Sequence, residues 1–261
     1  MRALRRPRPR NTDTPMYNLL ISLAAGILVA LGFGFGLGSD GFSVVYGVVP
    51  GLITFAVAFF LLMRRTLKQI EQLSNEAQQF LQNRNIDRAI EILEQGYELQ
   101  KWQFLTEPQI DAQIGQILFM NKKFDKAETY LRNAFQGNLI RKLFLGRLWM
   151  AWAMLGVIYY KRKEHDKMNA TFSEATSTNQ KESLLWNLYA YVLWKTGRRD
   201  KAIDVLNEAI EAGISDDRTK KNLKSLKNNR KMKMRGWDMM WYQFHLDRPP
   251  AQRQQVQFRR R

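Results

Sequence analysis

Two uninterrupted apolar runs, Tyr17–Leu37 and Val44–Met63, stand six residues apart near the start of the chain, and neither holds a Lys, Arg, Asp or Glu. Runs of about 20 apolar residues match the roughly 30 Å hydrocarbon layer of a bilayer when they are α-helical. In lipid a single segment satisfies its own backbone hydrogen bonds only as a helix. The connection, Gly38-Ser39-Asp40-Gly41-Phe42-Ser43, is short and rich in turn residues, so a hairpin with both ends on one side is expected. Arg2, Arg5, Arg6, Arg8 and Arg10 precede the first run, Arg64, Arg65 and Lys68 follow the second, and the connection has no basic residue. The positive-inside rule then assigns both termini to the cytoplasm. The expected location is a membrane, as an integral protein with two spans, and a bacterial inner membrane in particular. A cleaved signal peptide fits less well, because the first run exceeds the usual apolar core and a second span follows at once.

Inside the first run Ser22, Gly26, Ala30, Gly34 and Gly38 recur at every fourth position, one stripe of a helix, and the second run offers Gly47 and Gly51. Small residues let helix backbones approach closely. The stripe serves either packing of the two spans on each other or a homo-oligomer formed through Ser22, Gly26, Ala30 and Gly34. Neither run contains a charge that would mark an ion or proton path.

The net charge of +17 is unevenly spread: residues 1–15 carry +4, residues 216–261 carry +10, and the intervening body only +3. A basic end beside a membrane anchor suits anionic headgroups, whereas a nucleic-acid domain would spread its basic face over folded elements; no nucleic-acid motif is present and no such partner is expected. The chain has no Cys. Disulfides, thiolate metal sites and a Cys nucleophile are therefore excluded.

From about Leu67 to Ala212 apolar residues recur at helical spacing. One unit reads Trp152, Leu155, Gly156, Tyr159, then Phe172 and Ala175; the next has Trp186, Tyr189, Ala190, Leu193, then Ala202, Leu206 and Ala209. Trp152 and Trp186 lie 34 residues apart, as do Ala175 and Ala209. These residues resemble the tetratricopeptide repeat (TPR) family, whose unit is a helix–turn–helix. Two further units match more loosely: Leu73, Ala77, Phe80, Ala89, Leu93, Gly96, and Ile114, Gly115, Leu118, Ala127, Leu131, Ala134. Met168 stands where the family usually has Ala, and no unit has the family's closing Pro. Positions 89, 127, 168 and 202 are 38, 41 and 34 apart, with the extra residues at Gln100–Pro108 and Asn138–Leu148. A helix pair cannot bury its apolar stripe alone, so stacked pairs must share a core closed by caps.

The expected fold class is all-α. A transmembrane helical hairpin (16–63) follows a basic N-terminus (1–15) and leads into a TPR-like α-solenoid of about four units (64–214). Capping and amphipathic aromatic helices (215–248) and a disordered basic tail (249–261) complete it. The resemblance implies that the first helix of each unit lines a groove for protein partners, here Gln78 and Gln82; Gln116, Phe119 and Met120; Met150, Val157, Tyr160 and Lys161; and Asn187, Tyr191, Trp194 and Lys195. The Lys-and-Asn carboxylate clamp of chaperone-binding relatives is not reproduced.

Beyond the repeats, Ser215-Asp216-Asp217 opens a Lys-rich helix expected to reach about Met234, and Gly236 should end it. Trp237, Met240, Trp241 and Phe244 then have i, i+3, i+4, i+7 spacing. That face docks on the solenoid, lies in the membrane interface, or enters a partner's groove. The two His residues, His165 and His245, have no metal-ligand spacing partner, and no nucleophile or phosphate-loop motif is present. No catalytic residue, metal or cofactor is expected. The function expected is a membrane-anchored TPR scaffold for partner proteins of a membrane assembly; the alternative is a tethered adaptor whose basic aromatic C-terminus binds anionic lipid or RNA-containing particles.

Overall fold

The structure, a computed structural model, describes residues 16–36, 43–102, 106–135 and 148–249, and among these the chain is all-α. The basic N-terminus, the turn at 38–42, most of the second insertion and the basic tail beyond 249 lie outside the described residues. Two compact units emerge: Met1–Ile117 with Asp125–Leu145, and Leu118–Phe124 with Gly146–Arg261.

In the first unit α1 (Tyr17–Gly36) pairs with α2 (Val44–Gln82), and both are long and apolar enough to cross a membrane. Their exposed faces are apolar, with Leu28, Phe35, Val45 and Leu52 between 62% and 70% accessible. The pairing explains the stripe of small residues. A methyl on Gly26 would lie 2.9 Å from the Gly51 carbonyl oxygen, and one on Gly51 would lie 2.7 Å from Ala30 Cβ. Ser22, Gly26 and Gly34 are buried and Ala30 is half-buried.

α2 continues from the second apolar run into the repeat region. It runs 39 residues without a break, through Pro50 and past Met63 to Gln82. The stretch after Arg64-Arg65 has no Gly, Pro or capping signal strong enough to end a helix, so propagation continues. α3 (Ile86–Gln95) folds back on its C-terminal part, Asn85 Oδ1 accepting from the Arg88 amide at 3.2 Å. A 3₁₀ turn (Gly96–Lys101) takes up part of the first insertion. α4 (Thr106–Met120) and α5 (Phe124–Phe135) form the next pair. Two buried polar ties stiffen this unit: Tyr97 donates to Asp111 at 2.5 Å and Tyr130 to Glu94 at 3.2 Å. Burial first, then these carboxylates, hold both phenols far above their usual titration range.

The second unit holds α6 (Trp149–Lys161), α7 (His165–Thr178), α8 (Ser183–Lys195), α9 (Arg199–Glu211) and α10 (Asp217–Lys227). A 3₁₀ turn (Arg235–Trp237) and a five-residue α11 (Asp238–Tyr242) follow. The Lys-rich helix ends at Lys227, seven residues short of Met234, because Asn229 adopts φ +56° and its amide closes on Leu226. Phe172 stacks on Tyr189 at 5.2 Å between hairpins.

Two local rules repeat in all four helix pairs. The first is the turn. Arg84, Lys122, Lys163 and Gly197 all have positive φ, from 57° to 80°. After each, the next amide bonds back across the helix end: Asn85 to Phe80, Lys123 to Leu118, Glu164 to Tyr159 and Arg198 to Leu193. This is a Schellman stop, which satisfies the helix's last carbonyls by a left-handed residue. The second is a small residue at the crossing. A methyl on Gly115 would sit 2.6 Å from Leu131 Cγ, and one on Gly156 2.6 Å from the Phe172 ring. Ala89, Ala127 and Ala202 are fully buried, as is Met168 in the place of the family's Ala.

Each rule carries a test on the full chain by chemical unfolding. Gly156→Val forces a branched side chain into a buried ring and should destabilise the second unit by about 3 kcal/mol, the upper end of overpacking costs. Lys163→Gly relieves a side chain held in the left-handed region and should stabilise by about 0.5–1 kcal/mol.

Candidate partner-binding groove

Within the second unit the inner faces of α6 and α8 carry most of the residues marked out for a groove, and the chain's own C-terminal segment lies on them. Trp241 is fully buried, with its ring edge-on to Tyr191 at 4.8 Å. Its Nε1 donates to Asp247 Oδ2 at 2.8 Å, and the Tyr191 hydroxyl donates to Asp247 Oδ1 at 3.4 Å. His245 packs against Phe119 at 5.6 Å and Phe124 at 6.3 Å. Its Nε2 lies 3.1 Å from the Met120 carbonyl oxygen. Lys161 donates to the His245 carbonyl at 2.9 Å and sits 5.3 Å over the Phe124 ring. We refer to Trp237–Asp247 as the strap.

The strap is not the single amphipathic helix that the spacing suggested. Asp238 has φ +46°, so the chain turns sharply after Trp237, and α11 lasts only five residues. Trp237, Trp241 and Phe244 are buried to 5%, 0% and 0% exposure, while Met240 is left 44% exposed. In this arrangement Trp237, Trp241 and Phe244 pack inside the second unit. Arg218 secures the strap's start, donating to the Gly236 carbonyl at 2.9 Å with its guanidinium 4.8 Å from the Trp237 ring.

The groove residues divide accordingly. Phe119, Val157, Asn187 and Tyr191 are buried at 0–4% exposure, so they are core rather than open contact surface. Asn187 has a structural task. Its amide donates to Ser183 O at 2.8 Å and Thr219 Oγ1 at 2.7 Å, and its Oδ1 accepts from Asn222 at 2.9 Å. Asn222 Oδ1 in turn accepts from the Lys233 amide at 2.8 Å. This buried amide relay docks α10 and the segment after it on α8. Met150, Tyr160 and Trp194 are half-buried, Lys161 and Lys195 exposed. Lys195 Nζ lies 5.0 Å over Trp194 and 5.4 Å over Tyr191, an aromatic and cationic rim at the end of α8. Met120 is 43% exposed. In the first unit Gln78 and Gln82 are exposed on α2 and Gln116 is half-buried on α4. His245 and Asp247, which hold the strap, were not foreseen, since one His and one Asp in a Pro-flanked tail carry no spacing signal.

Beside the strap is a cavity of about 430 Å³ walled by Lys122, Phe124, Lys161, Tyr242, His245 and Arg248. Burial and the neighbouring Lys122 lower the Lys161 pKa. Burial pushes the Tyr160 phenol up, and burial with Asp247 pushes the Tyr191 phenol beyond its usual range. Burial likewise lowers the His245 pKa from 6.5, helped by Lys122 and Lys161 and opposed by the bond to Met120.

The tetratricopeptide repeat family model matches residues 184–212, the α8–α9 pair. The chain thus carries a tetratricopeptide repeat there, within an all-α body of helix pairs. Among solved structures, the crystal structure of the MamA protein aligns with a TM-score of 0.41 and 17% identity, over 75% of this chain and 91% of that chain. A search of curated proteins finds no match.

His245 gives the strap a pH dependence. The free imidazole titrates near 6.5 and the docked one lower, so its contribution to docking is complete above that value and is lost as pH falls through the docked pKa. Amide exchange at Trp241–His245, corrected for intrinsic rates, should rise between about pH 7.5 and about pH 5, and His245→Gln should flatten that rise.

Proposed function

We propose that this chain is a membrane-anchored scaffold that recruits partner proteins at the cytoplasmic face of a membrane. Three observations support the reading. Residues 184–212 match the tetratricopeptide repeat model, and the resemblance implies a groove for protein partners. α1 and α2 are long and apolar enough to span a bilayer, with most of that surface exposed. The basic residues flank the apolar runs on the side of both termini, which is the cytoplasmic side by the positive-inside rule. The observation that carries the scaffold reading is the rim at Tyr160, Trp194 and Lys195, half-buried aromatics and a cation that the strap leaves accessible. Aromatic residues of this kind anchor protein interfaces.

The adaptor alternative retains one feature. Lys220, Lys221, Lys224, Lys227, Arg230 and Lys231 are all exposed. With Trp237, Trp241 and Phe244 withdrawn into the core, that surface offers charge attraction without aromatic insertion or base stacking.

The test uses the full chain in its native membranes with a photo-crosslinking amino acid at Trp194 or, as a control on the outer helix, at Glu208. A discrete protein adduct is expected from position 194, absent from position 208 and lost with Tyr160→Ala. Identical adduct patterns at 194 and 208 would remove the rim as a docking surface. Release of the intact chain by carbonate washing would remove the anchor.

A further inference from the structure

The start of α1, the exit of the apolar stretch from α2 and the end of the 3₁₀ turn converge at one level of the first unit. Asn18, 3% exposed, donates through Nδ2 to Thr66 Oγ1 at 3.1 Å, and its backbone amide points to the Trp102 carbonyl oxygen at 3.4 Å. The Thr66 hydroxyl donates to Leu62 O at 3.2 Å, and the Ser22 hydroxyl to Asn18 O at 2.6 Å. This buried polar knot fastens the mouth of the hairpin to residue 102 of the repeat region.

Over the knot Tyr17 and Trp102 meet edge to face at 5.4 Å, yet they remain 39% and 40% exposed. Their setting is sharply two-sided. Along the helices on one side stand exposed Leu20, Ile21, Phe60 and Leu61. On the other stand exposed Arg64, Arg65, Lys68 and Lys101. An aromatic pair between an apolar belt and a basic one matches the headgroup level of a bilayer, where amphipathic rings are favoured.

We propose that Tyr17 and Trp102 form an aromatic contact with phospholipid at the headgroup level, making the 3₁₀ turn of the repeat region a third point of membrane attachment beside the two spans. This rests on the membrane-anchor reading above. Its consequence is that the first repeat is seated on the bilayer surface at a fixed depth. Exposed Lys101, Arg64, Arg65 and Lys68 form the basic belt on one side of the rings, so an anionic lipid strengthens the contact.

The chain's lack of Cys allows single-site labelling. The full chain, reconstituted in phosphatidylcholine vesicles with a minority of phosphatidylglycerol, carries a fluorophore at Lys101→Cys, Leu28→Cys or Glu91→Cys. Quenching is measured with nitroxides on the lipid headgroup or deep on the acyl chain. The label at 28 should respond to the acyl nitroxide, the label at 101 to the headgroup nitroxide several-fold more than the label at 91, and the 101 signal should fall to the level of 91 in Tyr17→Ala/Trp102→Ala. Unchanged helicity and an unchanged response at 28 in that variant would show that it still folds and inserts. A label at 28 buried in acyl chain with 101 as aqueous as 91 overturns the proposal and leaves the anchor standing. So does a 101 signal indifferent to loss of the two rings. An aqueous label at 28 overturns the anchor, and the proposal with it.

Discussion

How closely two helices approach at their crossing decides this architecture. A pair of amphipathic helices buries its stripe only if the backbones come near, and the limit is the side chain at the crossing point. Here that residue is Gly or Ala at every pair where contacts are described: Gly115 beneath Leu131, Gly156 beneath Phe172, and Gly26 against Gly51 in the apolar hairpin. The same device therefore operates in two settings with different driving forces. In the repeats it lets apolar area leave water; between two helices whose outward faces are themselves apolar it supplies close van der Waals contact. Ser22 and Asn18 add polar bonds at the hairpin's mouth, where they have little competition from solvent.

Close crossing also demands a sharp reversal of the chain, which the four Schellman stops provide. Only Gly197 suits its left-handed conformation without strain; Arg84, Lys122 and Lys163 hold it with a full side chain. Each such residue costs roughly 1–2 kcal/mol. The stops persist because the following amide recovers a carbonyl that would otherwise be unpaired, and because the helices on either side are pinned by their crossings. Turn and crossing thus support one another, and neither needs the closing Pro that these repeats lack.

The sequence made the architecture legible wherever a residue type has one structural use. The apolar runs, the Trp–Leu–Gly–Tyr unit and the buried Ala positions all imposed themselves because burial and close approach admit few alternatives. The turns at 84, 122 and 163 were not legible as left-handed stops, since Arg and Lys carry no signal for positive φ. The groove was misjudged at Asn187, where an amide on an inner helix face looks like a ligand contact until Thr219 and Asn222 take up its bonds. The aromatic segment was misjudged in shape for a related reason. Periodicity records which side chains are apolar, but Trp237, Trp241 and Phe244 reach a common core through a sharp turn at Asp238 as readily as along one helix.

The least legible feature is the one with the most mechanical consequence. The second apolar run and the first helix of the repeats are one continuous helix, α2, about 58 Å long at about 1.5 Å per residue. Its apolar half packs on α1 through Gly51, and its polar half packs on α3, with Leu73 against Gly96. Because Asn18 bonds to Thr66 and to the Trp102 carbonyl, the same helix is tied a second time near its midpoint, so the hairpin and the first repeat share one helix and a second point of contact.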